Sequence, residues 1–176
     1  MADLQPDSAY AKERFADPSR KTEFSTDAEK QFEYILSRYP NKQAALLPVL
    51  HLAQEQFGWC SPDAMLYVAK KLELEPAYVF GVVSFYNMYN QKPVGKYHLQ
   101  VCTNLTCMVR NAYDIYEGLL DDLHVTPGGT TKDGRYTVAE VECLGSCGTA
   151  PVVQVNNDYH EDMTVEKMKQ LLTKLS

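Results

Sequence analysis

Cys102-Thr103-Asn104-Leu105-Thr106-Cys107 and Cys143-Leu144-Gly145-Ser146-Cys147 hold four of the chain's five cysteines. The first run has four residues between its thiols and the second has three, with 35 residues between Cys107 and Cys143. Each run follows a stretch of alternating apolar and polar residues. Tyr97-His98-Leu99-Gln100-Val101 leads into Cys102, and Tyr136 to Glu142 leads into Cys143, which is the period of a half-buried strand. Between them, Met108 to Leu120 carries Val109, Ala112, Tyr113, Tyr116 and Leu120 at helical spacing, the stripe of a single crossover helix. A strand–helix–strand crossover makes its two strands parallel, and parallel strands end on the same sheet edge. Cys102 and Cys143 are therefore expected at neighbouring strand ends, with Cys107 and Cys147 looping back toward them. Four thiols gathered there predict a metal site.

Softness leaves two kinds of occupant, zinc or an iron–sulfur cluster. Structural zinc sites favour tighter turns, although spacings up to four occur. The plant-type [2Fe–2S] pattern needs a two-residue step that this chain lacks. A C-x4-C…C-x3-C arrangement instead resembles the thioredoxin-like [2Fe–2S] family to which the small iron–sulfur subunit of NADH:quinone oxidoreductase (respiratory complex I) belongs. Further stretches carry the likeness in the same order: Leu52-Ala53-Gln54-Glu55, Ser84-Phe85-Tyr86, the turn Gly128-Gly129-Thr130-Thr131, and Cys143 through Gly148-Thr149-Ala150-Pro151. Together they span roughly residues 26–175.

The resemblance implies one [2Fe–2S] cluster per chain on Cys102, Cys107, Cys143 and Cys147. It implies an electron-transfer role beside a larger flavoprotein subunit that binds FMN and NADH, within a complex that reduces quinone. It also implies a cis bond at Ala150-Pro151. Two rival roles remain: the equivalent diaphorase subunit of an NAD-linked hydrogenase or formate dehydrogenase, and a zinc-stapled interaction domain.

Outside the cysteines the chain reads as an α/β protein in two parts. Residues 1–24 are a polar tail. Residues 25–90 read as a helical bundle, and 91–176 as a thioredoxin-like [2Fe–2S] domain. In the bundle, Thr26-Asp27-Ala28-Glu29 is a capping box, and Phe32, Ile35, Leu36 and Tyr39 share one helical face before Pro40. A second helix carries Leu46, Val49, Leu50, Ala53 and Phe57 and ends near Gly58, with Pro48 in or near its first turn. Ser61-Pro62 opens a third helix, whose apolar side is Leu66, Val68, Ala69 and Leu72. A fourth begins near Pro76 with Val79, Val82 and Val83. Phe85 is expected in the core, and Tyr86 and Tyr89 are candidates for a partner-facing patch. Cys60, remote from the other thiols, reads as a free thiol, and His51 and His98 do not make a Rieske-type ligand pair.

After the second cysteine run, Pro151 to Val155, the turn Asn156-Asn157-Asp158 and Tyr159-His160 predict a hairpin. Thr164 then caps a helix with Val165, Met168, Leu171, Leu172 and Leu175 inward. The order βαβ, ββ, α resembles a thioredoxin core, but neither cysteine pair has the C-x-x-C spacing of a thiol oxidoreductase.

Composition excludes other roles. With 17 basic against 23 acidic side chains and a net charge of −6, the chain lacks the clustered cations of a nucleic-acid or anionic-lipid surface. The longest apolar run, Ala44 to Leu50, is seven residues and contains a proline, against the ~20 a membrane span requires. The opening residues resemble neither a signal nor a transit peptide, and five cysteines suit a reducing compartment. These features predict a cytoplasmic chain, peripheral to the inner membrane through its complex. No dinucleotide fingerprint, P-loop or zincin motif is present, so no complete active site is expected in this chain alone.

Overall fold

The computed structural model describes residues 22–175. All but the last three residues of the expected polar tail lie outside the described residues. Contacts divide the chain into a unit ending at Pro93 and another beginning at Val94.

Among the described residues the first unit holds four helices: α1 (Thr26–Arg38), α2 (Leu46–Phe57), α3 (Pro62–Leu72) and α4 (Pro76–Phe85). The cap of α1 is Ser25 rather than Thr26, its Oγ accepting from the Ala28 amide at 3.2 Å. Glu29 does not reach back to complete a capping box. With Ser25 as the cap, Ala28 takes the third helical position and Glu29 falls one residue past it; its carboxylate accepts instead from Lys71 at 2.7 Å and from Tyr67 at 3.2 Å. Phe24, placed by sequence in the tail, is buried, stacked on Phe57 (5.8 Å) and edge-on to Tyr67 (5.0 Å).

Pro48 falls in the first turn of α2, where its missing N–H breaks no helical bond. Gly58 closes that helix at φ +84°, a conformation that disfavours a Cβ. Ser61 caps α3 through the Ala64 amide at 3.1 Å, with Pro62 at the first helical position. The inward stripe of α3 is Met65, Val68, Ala69 and Leu72, whereas Leu66 lies exposed one step round the helix. Val79 and Val83 anchor α4.

Two aromatic expectations reverse. Phe85 is 79% exposed, while Tyr89 is 2% exposed and donates its hydroxyl to the Leu47 carbonyl at 2.9 Å. Helix α4 ends at Phe85 and the backbone turns extended at Tyr86, which carries Tyr89 inward and leaves Phe85 on the outer face.

The second unit is a sheet in the order β2-β1-β3-β4 with two principal helices. Strand β1 (Tyr97–Cys102) pairs in parallel with β2 (Tyr136–Val141), with Cys102 opposite Val141. On its other side β1 pairs antiparallel with β3 (Val153–Val155), which hairpins into β4 (Asp158–His160) through Asn156 and Asn157. The Gly128–Thr131 segment lines the outer edge of β2: the Gly128 amide donates to the Val138 carbonyl, the Val138 amide to the Gly129 carbonyl and the Thr131 amide to the Tyr136 carbonyl; an edge strand left bare would be a template for another chain.

The crossover is broken where one continuous helix was expected. A short α5 (Leu105–Val109) is followed by α6 (Ala112–Leu123), with Asn111 between them at φ +66°. Val109 and Tyr113 are exposed, and the buried stripe is Ala112, Ile115, Tyr116 and Leu119. The reason is geometric. Cys107 and Ala112 are buried in the same small cluster, yet on an unbroken helix residues five apart point about 140° away from each other. A left-handed step, which Asn tolerates better than most residues, brings both inward. Helices α6 and α7 (Val165–Leu175), the latter capped by Thr164, enclose Leu99, Val101, Val138 and Val153.

Candidate metal centre

Strand alternation puts Leu99 and Val101 in the core, and the strand delivers Cys102 at its end, 3% exposed. Its amide donates to the Val152 carbonyl at 3.1 Å. Asn104 then caps α5, its Oδ1 accepting from Leu105 at 2.7 Å, and one turn later α5 delivers Cys107, also 3% exposed. The two thiols lie in one buried cluster. Burial pushes the Cys107 thiol up to about 11, the neighbouring Cys102 thiol adds to this, and the Val152 backbone amide works against it.

The second run begins at Cys143, two residues past Val141, which is Cys102's partner and the end of β2. Its thiols, Cys143 and Cys147, are exposed. Leu144 turns inward against Cys102, Cys107, Ala112 and Ala150, so the loop is folded over the first pair by one apolar side chain. Gly145, at φ +74°, points its amide at the Cys143 sulfur, 3.2 Å away. A turn at Cys147–Thr149 leads to Ala150-Pro151, whose bond is cis as expected.

Among the described residues no three His, Cys, Asp or Glu side chains converge as the ligands of one ion. Cys102 and Cys107 stand together, Cys147 is within their electrostatic reach, and Cys143 is bonded within its own loop. The donor set nevertheless fits an iron–sulfur cluster by its chemistry. It offers four soft thiols in two pairs, and in the second pair the Gly145 amide is aimed at the Cys143 sulfur at 3.2 Å. Amides so placed favour a thiolate over a thiol and are the outer contacts that tune such a centre.

Carboxylates brace both runs. Glu140 accepts from Thr103 at 2.5 Å and from Tyr113 at 3.2 Å, linking the residue after Cys102 to α6. Glu161 accepts from Ser146 and, at 2.6 Å, from Thr149, linking the second run to the end of the hairpin. In sequence Glu140 reads only as a charge near the thiols, and nothing singles out Glu161. Glu161 lies 14 positions past Cys147, and only the antiparallel hairpin brings it back. The remaining cysteine, Cys60, is buried in the helical unit, and burial pushes its thiol up to about 12, the behaviour of an inert thiol. No helix of the described residues is long and apolar enough to cross a membrane.

Known proteins resemble this chain over most of its length. The sequence profile described as thioredoxin-like [2Fe-2S] ferredoxin matches residues 32–176. The E subunit of the NADH-quinone oxidoreductase of Rickettsia bellii (strain RML369-C) is 45% identical over 146 residues, covering 81% of this chain and 87% of its own. Its counterpart in Rickettsia typhi (strain ATCC VR-144 / Wilmington) is 46% identical over 143 residues, covering 80% and 84%. Among solved structures, an NAD+-reducing [NiFe]-hydrogenase in the air-oxidized state superposes with a TM-score of 0.65 at 22% identity, over 74% of this chain and 22% of that one. That likeness is one of fold. By profile and by identity, the chain belongs to the thioredoxin-like [2Fe-2S] ferredoxin family, in the branch of the NADH-quinone oxidoreductase E subunits.

Proposed function

We propose that this chain is an electron-transfer subunit of an NADH:quinone oxidoreductase, carrying one [2Fe–2S] cluster on Cys102, Cys107, Cys143 and Cys147. The observation that carries the reading is the delivery of two cysteine runs from the ends of neighbouring parallel strands, the second with an amide donor to sulfur. When bound, such a cluster supplies a one-electron acceptor. The protein's own residues then have separable tasks. Cys102 and Cys107 hold the buried side, from which Leu144, Val141, Ala112 and Ala150 exclude water. Cys143 and Cys147 hold the outer side. Low dielectric around the first pair disfavours added negative charge and lowers the reduction potential, while the Gly145 amide raises it.

Electrons enter, in this reading, from the FMN of a larger NADH-binding flavoprotein. The 45% identity to the Rickettsia bellii oxidoreductase chain favours a quinone-linked complex over the hydrogenase or formate dehydrogenase setting. The helical unit supports assembly with a partner. Helix α4, PAYVFGVVSF, has no charged residue, and Tyr78, Phe80 and Phe85 are exposed along it, with Met88 just beyond. Large exposed apolar patches mark interaction surfaces. Cytoplasmic placement, peripheral to the membrane through the complex, belongs to the same proposal.

The test begins with composition. Two irons and two acid-labile sulfides per chain are expected, with an EPR signal only on reduction; zinc with no visible absorption would sink the cluster. The second step is NADH reduction. Alone, the chain should remain oxidised with NADH, and it should become NADH-reducible when co-expressed with its flavoprotein partner. Reduction of the isolated chain by NADH would overturn the partner reading.

A further inference from the structure

The exposed cysteine run raises a question that the buried run does not: what holds it in place. Between Val141 and Val153 the only regular structure is the three-residue turn Cys147–Thr149. Apolar packing of the run comes from Leu144. Loops without regular structure or apolar burial sit at the low-stability end of a protein, and a ligand loop that wanders binds metal poorly.

The tethers come from one short segment, residues 159–162. Tyr159 donates its hydroxyl to the Leu144 carbonyl at 2.9 Å, and the Asp162 amide donates to the Thr149 carbonyl at 2.7 Å. Between them in sequence, one oxygen of Glu161, Oε1, accepts from both Ser146 and Thr149, and those two hydroxyls also stand 2.8 Å from each other. Ser146 is the residue before Cys147 and Thr149 is two residues after it. Both hydroxyls that flank Cys147 thus converge on a single carboxylate oxygen.

We propose that Glu161 is the positioning residue of the exposed half of the site, its carboxylate gathering Ser146 and Thr149 to hold Cys147 in ligand geometry. The inference rests on the ligand set proposed above. Hydrogen bonds to an ionised acceptor are roughly twice as strong as neutral ones, so the bracket is suited to a surface loop. The same two hydroxyls hold the Glu161 carboxyl below its usual range, which keeps it ionised at neutral pH. Glu140 does the corresponding work for the buried run, through Thr103 and Tyr113, but there the core already positions Cys102 and Cys107. Glu161 has no such support.

The experiment uses the full chain bearing its cluster, with variants E161A, E161Q and C147A. Cluster retention is followed as the decay of visible absorption in excess EDTA, and the reduced EPR line shape is recorded for each variant. Outer-sphere partners of metal ligands are worth about 10–100-fold in affinity or activity, so E161A should shorten the half-life at least about tenfold and broaden the EPR signal. E161Q keeps an acceptor oxygen at the position of Oε1 but loses the charge that strengthens its bonds, and should decay at a rate between those of the parent and E161A. Parent-like half-life and spectrum in E161A would overturn the proposal, and so would E161Q decaying as fast as E161A. Should E161A fail to fold, S146A/T149V removes both donors and must reproduce the rapid decay, or the proposal fails. C147A separates the two readings: a full cluster in C147A would refute the ligand set itself, whereas its loss there beside an intact cluster in E161A would refute only the role of Glu161.

Discussion

Cys102 and Cys107 are buried, and Cys143 and Cys147, reached from the neighbouring strand, are exposed. The first pair inherits its position from the fold. Cys102 ends the strand that buries Leu99 and Val101 and is itself buried on the opposite side, and α5 carries Cys107 into the same cluster with Ala112 and Ala150. The second pair stands in a loop whose order comes from Leu144 and from hydroxyls and amides reaching over from the hairpin. Two runs similar in sequence are thus held by different forces, one by burial and one by polar tethers. Burial resists local change because many contacts must be lost together, whereas a polar tether fails one bond at a time.

The largest effects test whether the difference is confined to folding. Replacing any one of the four cysteines by Ala should abolish or destabilise the cluster, read as loss of visible absorption and of iron. Stability of the metal-free chain should then part the pairs. Cys102→Ala empties a packed position and should cost about 1–2 kcal/mol in urea unfolding, while Cys147→Ala should stay within about 0.5 kcal/mol. Equal costs would erase the contrast.

Gly145→Ala bears on the exposed run alone. A Cβ there meets nothing within 4 Å, but φ is +74°, so the cost is conformational, about 1 kcal/mol. The cluster should be lost several-fold faster in chelator, with metal-free stability lowered by no more than that amount.

A pH experiment probes the interior strand. His98, on β1, has its pKa lowered by burial from 6.5. With the folded value below the unfolded one, the unfolded chain takes up the proton first as pH falls. Stability is therefore full above about pH 6.5 and declines through the lower folded value. The thermal midpoint of the metal-free chain should fall in that window, and His98→Gln should flatten it. Glu161, also depressed but from 4.5, contributes stability that is lost only at more acidic pH, so β1 and the exposed run should respond at different pH.

Tyr159→Phe removes one tether of the exposed run. The Leu144 carbonyl can turn to water, so the cost should be about 0.5–1 kcal/mol, with cluster retention changed by less than threefold in the same assay. Cys60→Ser, in the helical unit, asks whether burial by itself makes a thiol a ligand. The absorption and EPR of the cluster should not change, and any change would show that Cys60 takes part.

Much of this architecture is legible in the residues. Alternation over Tyr97–Val101 and Tyr136–Val141, Pro62 after Ser61, and Gly58 at the end of α2 each specify local structure through nearest neighbours, and the crossover rule then makes the strands parallel. Local patterning fails where a distant contact competes. Thr26 and Glu29 form a sound capping box on paper, but the cap falls on Ser25, and Lys71, 42 residues on, holds the carboxylate. The stripe from Val109 to Leu120 is a sound helix, but the burial of Cys107 beside Ala112 requires the left-handed step at Asn111.

The sequence by itself determined the order of elements, the parallel pairing of β1 with β2, and two cysteine runs at adjacent strand ends. Each of these follows from periodicity, turn chemistry and chirality within a few tens of residues. Only the tertiary structure decided that one pair is buried and the other exposed, that Phe85 faces out while Tyr89 faces in, and that Glu161 returns to Cys147. Those outcomes depend on side chains that meet across the fold, and the free energy of such a contact is set by its neighbours in space, which spacing along the chain does not encode.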